Sequence, residues 1–153
     1  MKYNILIADD VALNRKIMKD VLRNIENVNF FEAINGIDAL GYLFDMDIDL
    51  VILDLLMPRC DGFQVLKKMK SSEEHKDIPV IVCSAFDNID TIKKALDMGA
   101  YDYFTKPLTR EKMEVLVPLK VRNALKSNEQ RKLLEEAYNQ LEREMNLVKH
   151  MSF

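Results

Sequence analysis

The sequence has few of the residues that build compact metal or redox motifs. Its 153 residues include no tryptophan, two cysteines and two histidines. Cys60 and Cys83 lie 23 residues apart without a CxxC pair, and Cys83 sits in an apolar run, where a small buried thiol is the simplest interpretation. His75 and His150 have no partner at metal-ligand spacing. This cysteine usage fits a reducing cytoplasm, which is the expected localisation.

Long apolar runs and a strong basic bias are also missing. No apolar stretch approaches the roughly 20 residues that cross a bilayer, and the N-terminus lacks a signal-peptide layout. Residues 1–118 carry 15 basic and 20 acidic side chains, a formal charge of -5, whereas residues 119–153 carry 7 and 5, a charge of +2. Neither part has the basic excess of a nucleic-acid binder. We therefore expect neither a membrane nor a nucleic acid as a partner.

What the sequence does contain is a fivefold alternation of short apolar runs with segments of helical period. The runs are rich in branched side chains, and the central ones lack polar alternation, which is typical of parallel strands covered on both faces. They are Asn4–Ala8, Asn29–Ala33, Leu50–Leu53, Val80–Cys83 and Tyr101–Phe104. The pattern predicts an α/β protein with a doubly wound, five-stranded parallel sheet flanked by five helices. One domain of roughly 120 residues and a C-terminal helical extension account for the length.

Capping residues and glycines mark the predicted helix boundaries. Asp87, with Asp90 three residues later, is expected to cap the fourth helix, and Gly99 is expected to stop it. Gly36 and Gly62 mark two further junctions between a loop and a helix.

Polar side chains follow the predicted strands at one edge of the sheet. Asp9 and Asp10 follow the first strand, and Asp54, Ser84 and Lys106 follow the third, fourth and fifth. Because open parallel sheets bind ligands beyond the carboxyl ends of their strands, we expect these side chains in one site. Three converging carboxylates repel one another unless a hard divalent cation such as Mg²⁺ lies among them. A carboxylate in such a site can attack a phosphoryl donor and form an aspartyl phosphate.

The ordered combination of motifs resembles the receiver domain of bacterial two-component response regulators over about residues 2–117. Each motif is weak by itself, but the combination is highly specific. The motifs are Ile5-Leu6-Ile7-Ala8-Asp9-Asp10, Asn35-Gly36, Asp54 with Met57-Pro58 and Asp61-Gly62, Ser84-Ala85, Gly99-Ala100, and Tyr103 three residues before Lys106-Pro107.

The resemblance implies a role for each acidic residue. Asp54 would be the phosphoacceptor and also a metal ligand. Asp10 would bind Mg²⁺ (or Mn²⁺) directly, Asp9 would help to hold the ion through water, and the backbone carbonyl of Leu56 would supply another ligand. Lys106 would pair with the phosphoryl group.

The resemblance also implies a switch and a partner. Ser84 would move toward the phosphoryl group, Tyr103 would change rotamer, and the peptide bond before Pro107 would be cis. The surface of the fourth helix, fifth strand and fifth helix would then reorganise. The phosphodonor would be a sensor histidine kinase or a phosphotransfer protein. The chain would be a signalling module and not an enzyme, apart from its own phosphorylation and dephosphorylation.

Two other functions compete with this interpretation. The first is a degenerate receiver that acts as a phosphorylation-independent interaction module, which is disfavoured because every expected site residue is present. The second is a phosphatase with an aspartyl nucleophile, whose DxD pattern places an acid/base two residues after the nucleophile. That position is Leu56, which has no proton to give. A hydrophobic Leu56 is also expected to slow attack by water on a phosphoryl group at Asp54.

The C-terminal segment predicts a helical extension. Helical pattern resumes at Thr109, but Pro118 removes one backbone donor, which predicts a kink or a new helix there. We therefore divide the chain into a receiver over residues 1–117 and an extension over residues 118–153.

An apolar seam runs along this extension in alternating steps of four and three residues. Its members are Leu134, Tyr138, Leu141, Met145 and Val148. Such a seam either packs on its own domain or pairs with a second copy, and a parallel coiled-coil homodimer is favoured. The surface of the fourth helix, fifth strand and fifth helix is a further candidate for self-association. The ending Met151-Ser152-Phe153 suggests a fragment of a longer regulator, in which a connector helix leads to a domain such as a cyclic-di-nucleotide synthase or phosphodiesterase.

Overall fold

The computed structural model describes residues 2–151 of the chain, so the ending at Ser152 and Phe153 lies outside the described residues. Strands and helices alternate as the apolar runs predict. The elements are β1 (Tyr3–Ala8), α1 (Ala12–Val21), β2 (Val28–Ala33), α2 (Gly36–Asp45), β3 (Leu50–Leu53), α3 (Gly62–Lys70), β4 (Val80–Ser84), α4 (Ile89–Asp97), β5 (Asp102–Thr105), a π-helical segment (Lys112–Leu116) and α5 (Val117–Met151).

The five strands form one parallel sheet in the order β2-β1-β3-β4-β5. The predicted fold class is therefore confirmed. Because the chain moves from β1 to β2 on one side and then to β3 on the other, the order reverses between β1 and β3. The carboxyl ends of these two strands flank a crevice where open sheets bind ligands. Asp9 and Asp54 are the first residues beyond those ends.

Alternate residues of each strand enter two separate cores. Leu6, Val51 and Val82 pack in the core that includes residues of α2, α3 and α4. Ile7 and Ile52 pack in the other core, with residues of α1 and α5. Both faces of the central strands are thus covered by helices, which explains why their sequences lack polar alternation.

The predicted strands all exist, with ends that differ by one residue in four of them. One predicted helix cap is wrong. The side chain of Asn88, and not that of Asp87, accepts a hydrogen bond from the backbone N–H of Thr91 at 2.8 Å and caps α4. Asp90 lies in the first turn, and Gly99 follows the helix with a φ of +104°, in the left-handed region that favours glycine.

Pro118 is the second residue of α5, and the π-helical segment directly precedes it. A proline is tolerated in the first turn of an α-helix because its missing N–H leaves little unpaired there. The α-helix therefore begins next to Pro118, as one of the two predicted alternatives stated. The backbone before it is not a loop, however, but a helix wound more widely.

Helix α5 is 35 residues long and has two unlike halves. In the first half Val121, Ala124 and Leu125 are buried in the core below the sheet. Beyond Lys132 the helix projects, and the five residues of the predicted seam are 55–72% exposed. The alternative prediction, that this seam packs on its own domain, is therefore wrong. Within residues 2–151, none of the helices is both long and apolar enough to cross a membrane.

Candidate functional site

Three carboxylates meet in the crevice between β1 and β3. Oxygens of Asp9, Asp10 and Asp54 lie within 4.8 Å of one another. The sheet fixes two of these residues, because the N–H of Asp9 donates to Ala33 at 3.0 Å and that of Asp54 donates to Ala8 at 2.9 Å. Asp9 and Asp54 are buried, whereas Asp10 is exposed. The sequence prediction that these three side chains converge is correct in its geometry.

Lys106 reaches the same crevice from the end of β5. Its Nζ donates hydrogen bonds to Asp9 Oδ2 at 2.6 Å and to Asp54 Oδ2 at 2.9 Å. Burial by itself lowers the pKa of Lys106, but the hydrogen bonds to Asp9 and Asp54 outweigh it, so that this pKa lies above its usual value. Lys106 is therefore a fixed cation at neutral pH. The peptide bond between Lys106 and Pro107 is cis, as expected.

Backbone amides hold the second oxygen of each buried carboxylate. Asp9 Oδ1 accepts from the N–H of Val11 at 2.9 Å, and Asp54 Oδ1 accepts from the N–H of Leu56 at 3.0 Å. Each carboxylate is thus oriented by an amide on one side and by Lys106 on the other. Such fixed geometry is what a nucleophile or a metal ligand requires.

The donor set fits a hard divalent cation. Counted at their formal charges, three carboxylates and one ammonium group sum to -2, which one divalent ion balances. The three side chains offer carboxylate oxygens, the type of ligand that Mg²⁺ and Mn²⁺ prefer. The predicted carbonyl ligand of Leu56 stays a prediction.

Ser84 and Tyr103 lie beside this centre on neighbouring strands. Ser84 is fully buried, and its Oγ accepts from the N–H of Phe86 at 3.5 Å, a long hydrogen bond. The Tyr103 hydroxyl donates to the carbonyl of Phe86 at 2.7 Å, and burial of the ring raises the pKa of Tyr103. Both side chains therefore contact the loop after β4, where the predicted switch would act.

A cavity of about 490 Å³ opens beside the acidic crevice. Asp9, Asp54 and Lys106 line one part of it, and apolar side chains, including Ile17 of α1 and Met113 of the π-helical segment, line much of the rest. The carboxylate of Asp54 and the ammonium group of Lys106 thus lie beside open space.

Gly62 has a role that the sequence did not reveal. A Cβ atom on Gly62 would lie 2.3 Å from the carbonyl oxygen of Asp54, so a larger residue would displace the backbone at Asp54. A Cβ on Gly36 would lie 2.0 Å from the carbonyl oxygen of Cys60, which supports the same loop. Both glycines begin helices, as predicted. The reason that glycine is required there is the close approach of another backbone segment.

Comparison with known proteins assigns this architecture. Residues 5–117 match the family model described as response regulator receiver domain. The chain belongs to the response regulator receiver family. It is 36% identical over 124 residues to sporulation initiation phosphotransferase F of Bacillus subtilis, which covers 78% of this chain and 98% of that protein.

Two solved receiver structures illustrate the similarity. The phosphorylated cyanobacterial phytochrome response regulator RcpA is 27% identical with a TM-score of 0.70, over 77% of this chain and 90% of that one. The Mn²⁺-bound form of response regulator Rcp1 is 23% identical with a TM-score of 0.68, over 76% of this chain and 89% of that one. Receiver domains are signalling modules that take phosphoryl groups from histidine kinases or phosphotransfer proteins.

One contact in this receiver escaped the sequence analysis. Arg15 of α1 donates from Nη1 to the backbone carbonyl of Asp9 at 2.8 Å. An arginine six residues after Asp9 does not by itself indicate such a contact, because its partner is a backbone carbonyl, which every residue has.

Proposed function

We propose that this receiver accepts a phosphoryl group on Asp54 from a phosphohistidine of a sensor histidine kinase or a phosphotransfer protein. An Asp54 oxygen forms the bond to phosphorus while the P–N bond of the phosphohistidine breaks, and the imidazole nitrogen keeps the bonding electrons. The observation that carries the proposal is the double hydrogen bond from Lys106 Nζ to Asp9 and Asp54, all three of which line the cavity.

Asp9, Asp10 and Asp54, with the backbone carbonyl of Leu56, would hold Mg²⁺ or Mn²⁺. When bound, the ion offsets the charge on the oxygens of the transferring group. The convergence of the three carboxylates supports this assignment, as does the Mn²⁺ bound by a receiver of the same fold.

Lys106 would change partners during the transfer. Its ammonium group bonds to Asp54 in the unmodified chain, and a phosphoryl oxygen on Asp54 would offer it a more highly charged acceptor. Ser84 would turn its hydroxyl toward a second phosphoryl oxygen. Tyr103 would then exchange its hydrogen bond to Phe86 as the loop after β4 moves. The resulting change would appear on the surface of α4, β5 and α5.

The decisive experiment is intact mass spectrometry after incubation with acetyl phosphate and Mg²⁺. The unmodified chain should gain one phosphoryl group, and it should gain none when the metal is chelated. The matched variant Asp54→Asn should gain none in either condition. Failure of both chains to react would favour a degenerate interaction module, and equal labelling of both would move the acceptor away from Asp54.

The alternative of a turnover phosphatase has little support. Leu56 occupies the position where such an enzyme needs an acid/base, and it contributes only its N–H to the Asp54 carboxylate. We expect autodephosphorylation of Asp54 but no hydrolysis of external phosphate esters.

The projecting half of α5 would join two copies of the chain. Leu134, Tyr138, Leu141, Met145 and Val148 form one exposed apolar seam that the domain leaves uncovered. A seam at heptad spacing buries its side chains when it meets a second helix of the same kind. We therefore favour a parallel homodimer through this seam, with the α4, β5 and α5 surface as a second contact.

Sedimentation equilibrium over a range of protein concentrations tests the dimer. The unmodified chain should show reversible dimers, and Leu141→Glu should be a monomer. Asn146→Glu, which changes the outward side of the same helix, should still dimerise. Loss of dimers in both variants, or in neither, would contradict pairing through the seam.

The remaining assignments rest on the same features. We place the receiver in residues 1–117 and the dimerisation extension in residues 118–153, and we infer a cytoplasmic location from the family's phosphodonors.

A further inference from the structure

We propose that Arg15 is a positioning residue for the metal site, and that Glu32 holds it in place. The inference rests on the proposed Mg²⁺ site. Arg15 does not touch a carboxylate of that site. Its Nη1 donates at 2.8 Å to the backbone carbonyl of Asp9, which is the peptide group that links Asp9 to Asp10.

This contact fixes the one peptide that both ligands share. The rotation of the peptide between Asp9 and Asp10 sets the direction in which the second side chain leaves the backbone. The side chain of Asp9 is already held by Val11 and Lys106. Asp10 is exposed. Its side-chain position therefore depends mainly on the orientation of the peptide that it shares with Asp9. Arg15 therefore acts on the geometry of Asp10.

Arg15 is itself held from the adjacent strand. Its Nε donates to Glu32 Oε1 at 3.1 Å, and its side chain is 13% exposed. Glu32 lies on β2 in register with Ile7 of β1, so the sheet determines where its carboxylate stands. Lys19 donates to the other oxygen of Glu32 at 3.1 Å. The chain of contacts thus runs from β2 through α1 to the loop after β1.

The charge of Arg15 and its hydrogen bond predict opposite effects on metal binding. Removal of a cation near three carboxylates should strengthen binding of a divalent ion, because less positive charge opposes it. Loss of the hydrogen bond from Arg15 to the shared peptide should weaken metal binding by about 10-fold or more. Loss of a contact that orients a metal ligand usually has an effect of this size. The sign of the change therefore separates positioning from charge.

Lys19→Met is the matched control for Arg15→Met. Both changes remove one positive charge from α1 and one partner of Glu32, but within residues 2–151 Lys19 donates to Glu32 alone. Arg15→Lys is a second variant that keeps the charge. The Nζ of a lysine lies one bond closer to Cα than the Nη1 of arginine does. We therefore expect this lysine to reach Glu32 but not the carbonyl of Asp9. This variant keeps the inference testable if Arg15→Met does not fold.

The experiment is direct titration with Mn²⁺, with free Mn²⁺ measured by electron paramagnetic resonance. Arg15→Met and Arg15→Lys should bind about 10-fold more weakly than the unmodified chain, and Lys19→Met equally well or slightly more tightly. With acetyl phosphate, the half-saturating Mg²⁺ concentration should rise by the same factor, while the rate at saturating Mg²⁺ should change little. In metal-free protein, the amide resonance of Asp10 should shift in the Arg15 variants only.

Two outcomes overturn the inference. If folded Arg15 variants bind Mn²⁺ within about twofold of the unmodified chain, Arg15 does not position the site. If the Lys19 variant weakens binding as much as they do, the effect belongs to Glu32, the partner that both residues share, and not to the contact between Arg15 and Asp9. Absence of Mn²⁺ binding by the unmodified chain would instead overturn the proposed metal site itself, and the inference with it.

Discussion

The side chain of Leu56 is half exposed, and its N–H donates to Asp54 Oδ1. On the proposed function, water that hydrolyses a phosphoryl group on Asp54 would have to pass this apolar side chain. In Leu56→Asn an amide would offer that water a hydrogen bond of about 1 kcal/mol, so the hydrolysis rate should rise about fivefold. Decay of the phosphorylated protein, followed by intact mass, measures this rate. Leu56→Met should leave it unchanged, and a longer lifetime in Leu56→Asn would refute the role of the apolar flank.

Cys83 gives a stability prediction that depends on pH. Burial raises the pKa of this thiol from 9.0 to about 11. The folded state therefore favours the neutral thiol, and its stabilising effect is complete below pH 9 and is lost as the pH rises toward 11.

Urea unfolding at pH 8 and pH 10 measures the effect. Over this interval the unmodified chain should lose about 1.4 kcal/mol more of its unfolding free energy than Cys83→Ala, which has no thiol to ionise. The comparison removes the contributions of lysines and tyrosines, since both chains contain them. Equal losses in the two chains would mean that the Cys83 thiol does not titrate differently on unfolding.

At the scale of single residues, the sequence predicted the convergence of Asp9, Asp10 and Asp54 because strand ends in a parallel sheet share one edge. It did not predict the contact from Arg15 to the carbonyl of Asp9, because a hydrogen bond to a backbone atom does not depend on the partner's residue type. It also misplaced a helix cap. Asp87 and Asn88 are adjacent and have similar capping preferences, and only the path of the loop after β4 selects Asn88.

Among the elements, the strands were predictable because each is a short apolar run between polar loops. The π-helical segment before α5 was not. Pro118 predicts a disturbed helix, but the sequence does not predict whether the backbone breaks, bends or forms a π-helix. Packing of Val117 and Val121 into the core keeps the helix continuous, and such tertiary contacts lie outside any local pattern.

Polar contacts join α5 to the amino end of the sheet before the helix projects. Asn128 is 4% exposed; its Nδ2 donates to the carbonyl of Asp49 at 3.3 Å, and its Oδ1 accepts from Arg131 at 2.8 Å. Lys132 donates to Asp49 Oδ1 at 2.9 Å, and Tyr3 donates to Glu129. These contacts set the direction in which the exposed half of the helix leaves the domain.

The substitution Asn128→Ala removes the buried member of this group. It should lower the free energy of unfolding by about 2 kcal/mol, because it leaves buried polar partners unsatisfied. Chemical denaturation measures the change. Asn139→Ala, on the exposed part of the same helix, should change it by less than about 0.5 kcal/mol. Equal effects of the two substitutions would show that α5 is not anchored through Asn128.

For the whole molecule, the spacing of the seam determines which charges meet across a dimer. With Leu134, Leu141 and Val148 at d positions and Tyr138 and Met145 at a positions, Glu144 falls at g and Lys149 at the following e. In a parallel dimer in register, these two residues face each other across the interface twice. In an antiparallel dimer in which Leu141 packs against Met145 of the other copy, Lys149 would instead face Glu135, and Glu142 would face its own copy.

Charge reversal therefore distinguishes the two orientations. Lys149→Glu should weaken a parallel dimer by about 10-fold, because two attractive pairs, each worth a few tenths of a kcal/mol, become repulsive. The double variant Glu144→Lys with Lys149→Glu should recover most of the affinity, since it restores both pairs with their signs exchanged. The double variant Glu135→Lys with Lys149→Glu should not. Dissociation constants from sedimentation equilibrium at low salt make the comparison, and rescue by the Glu135 variant instead would establish the antiparallel arrangement.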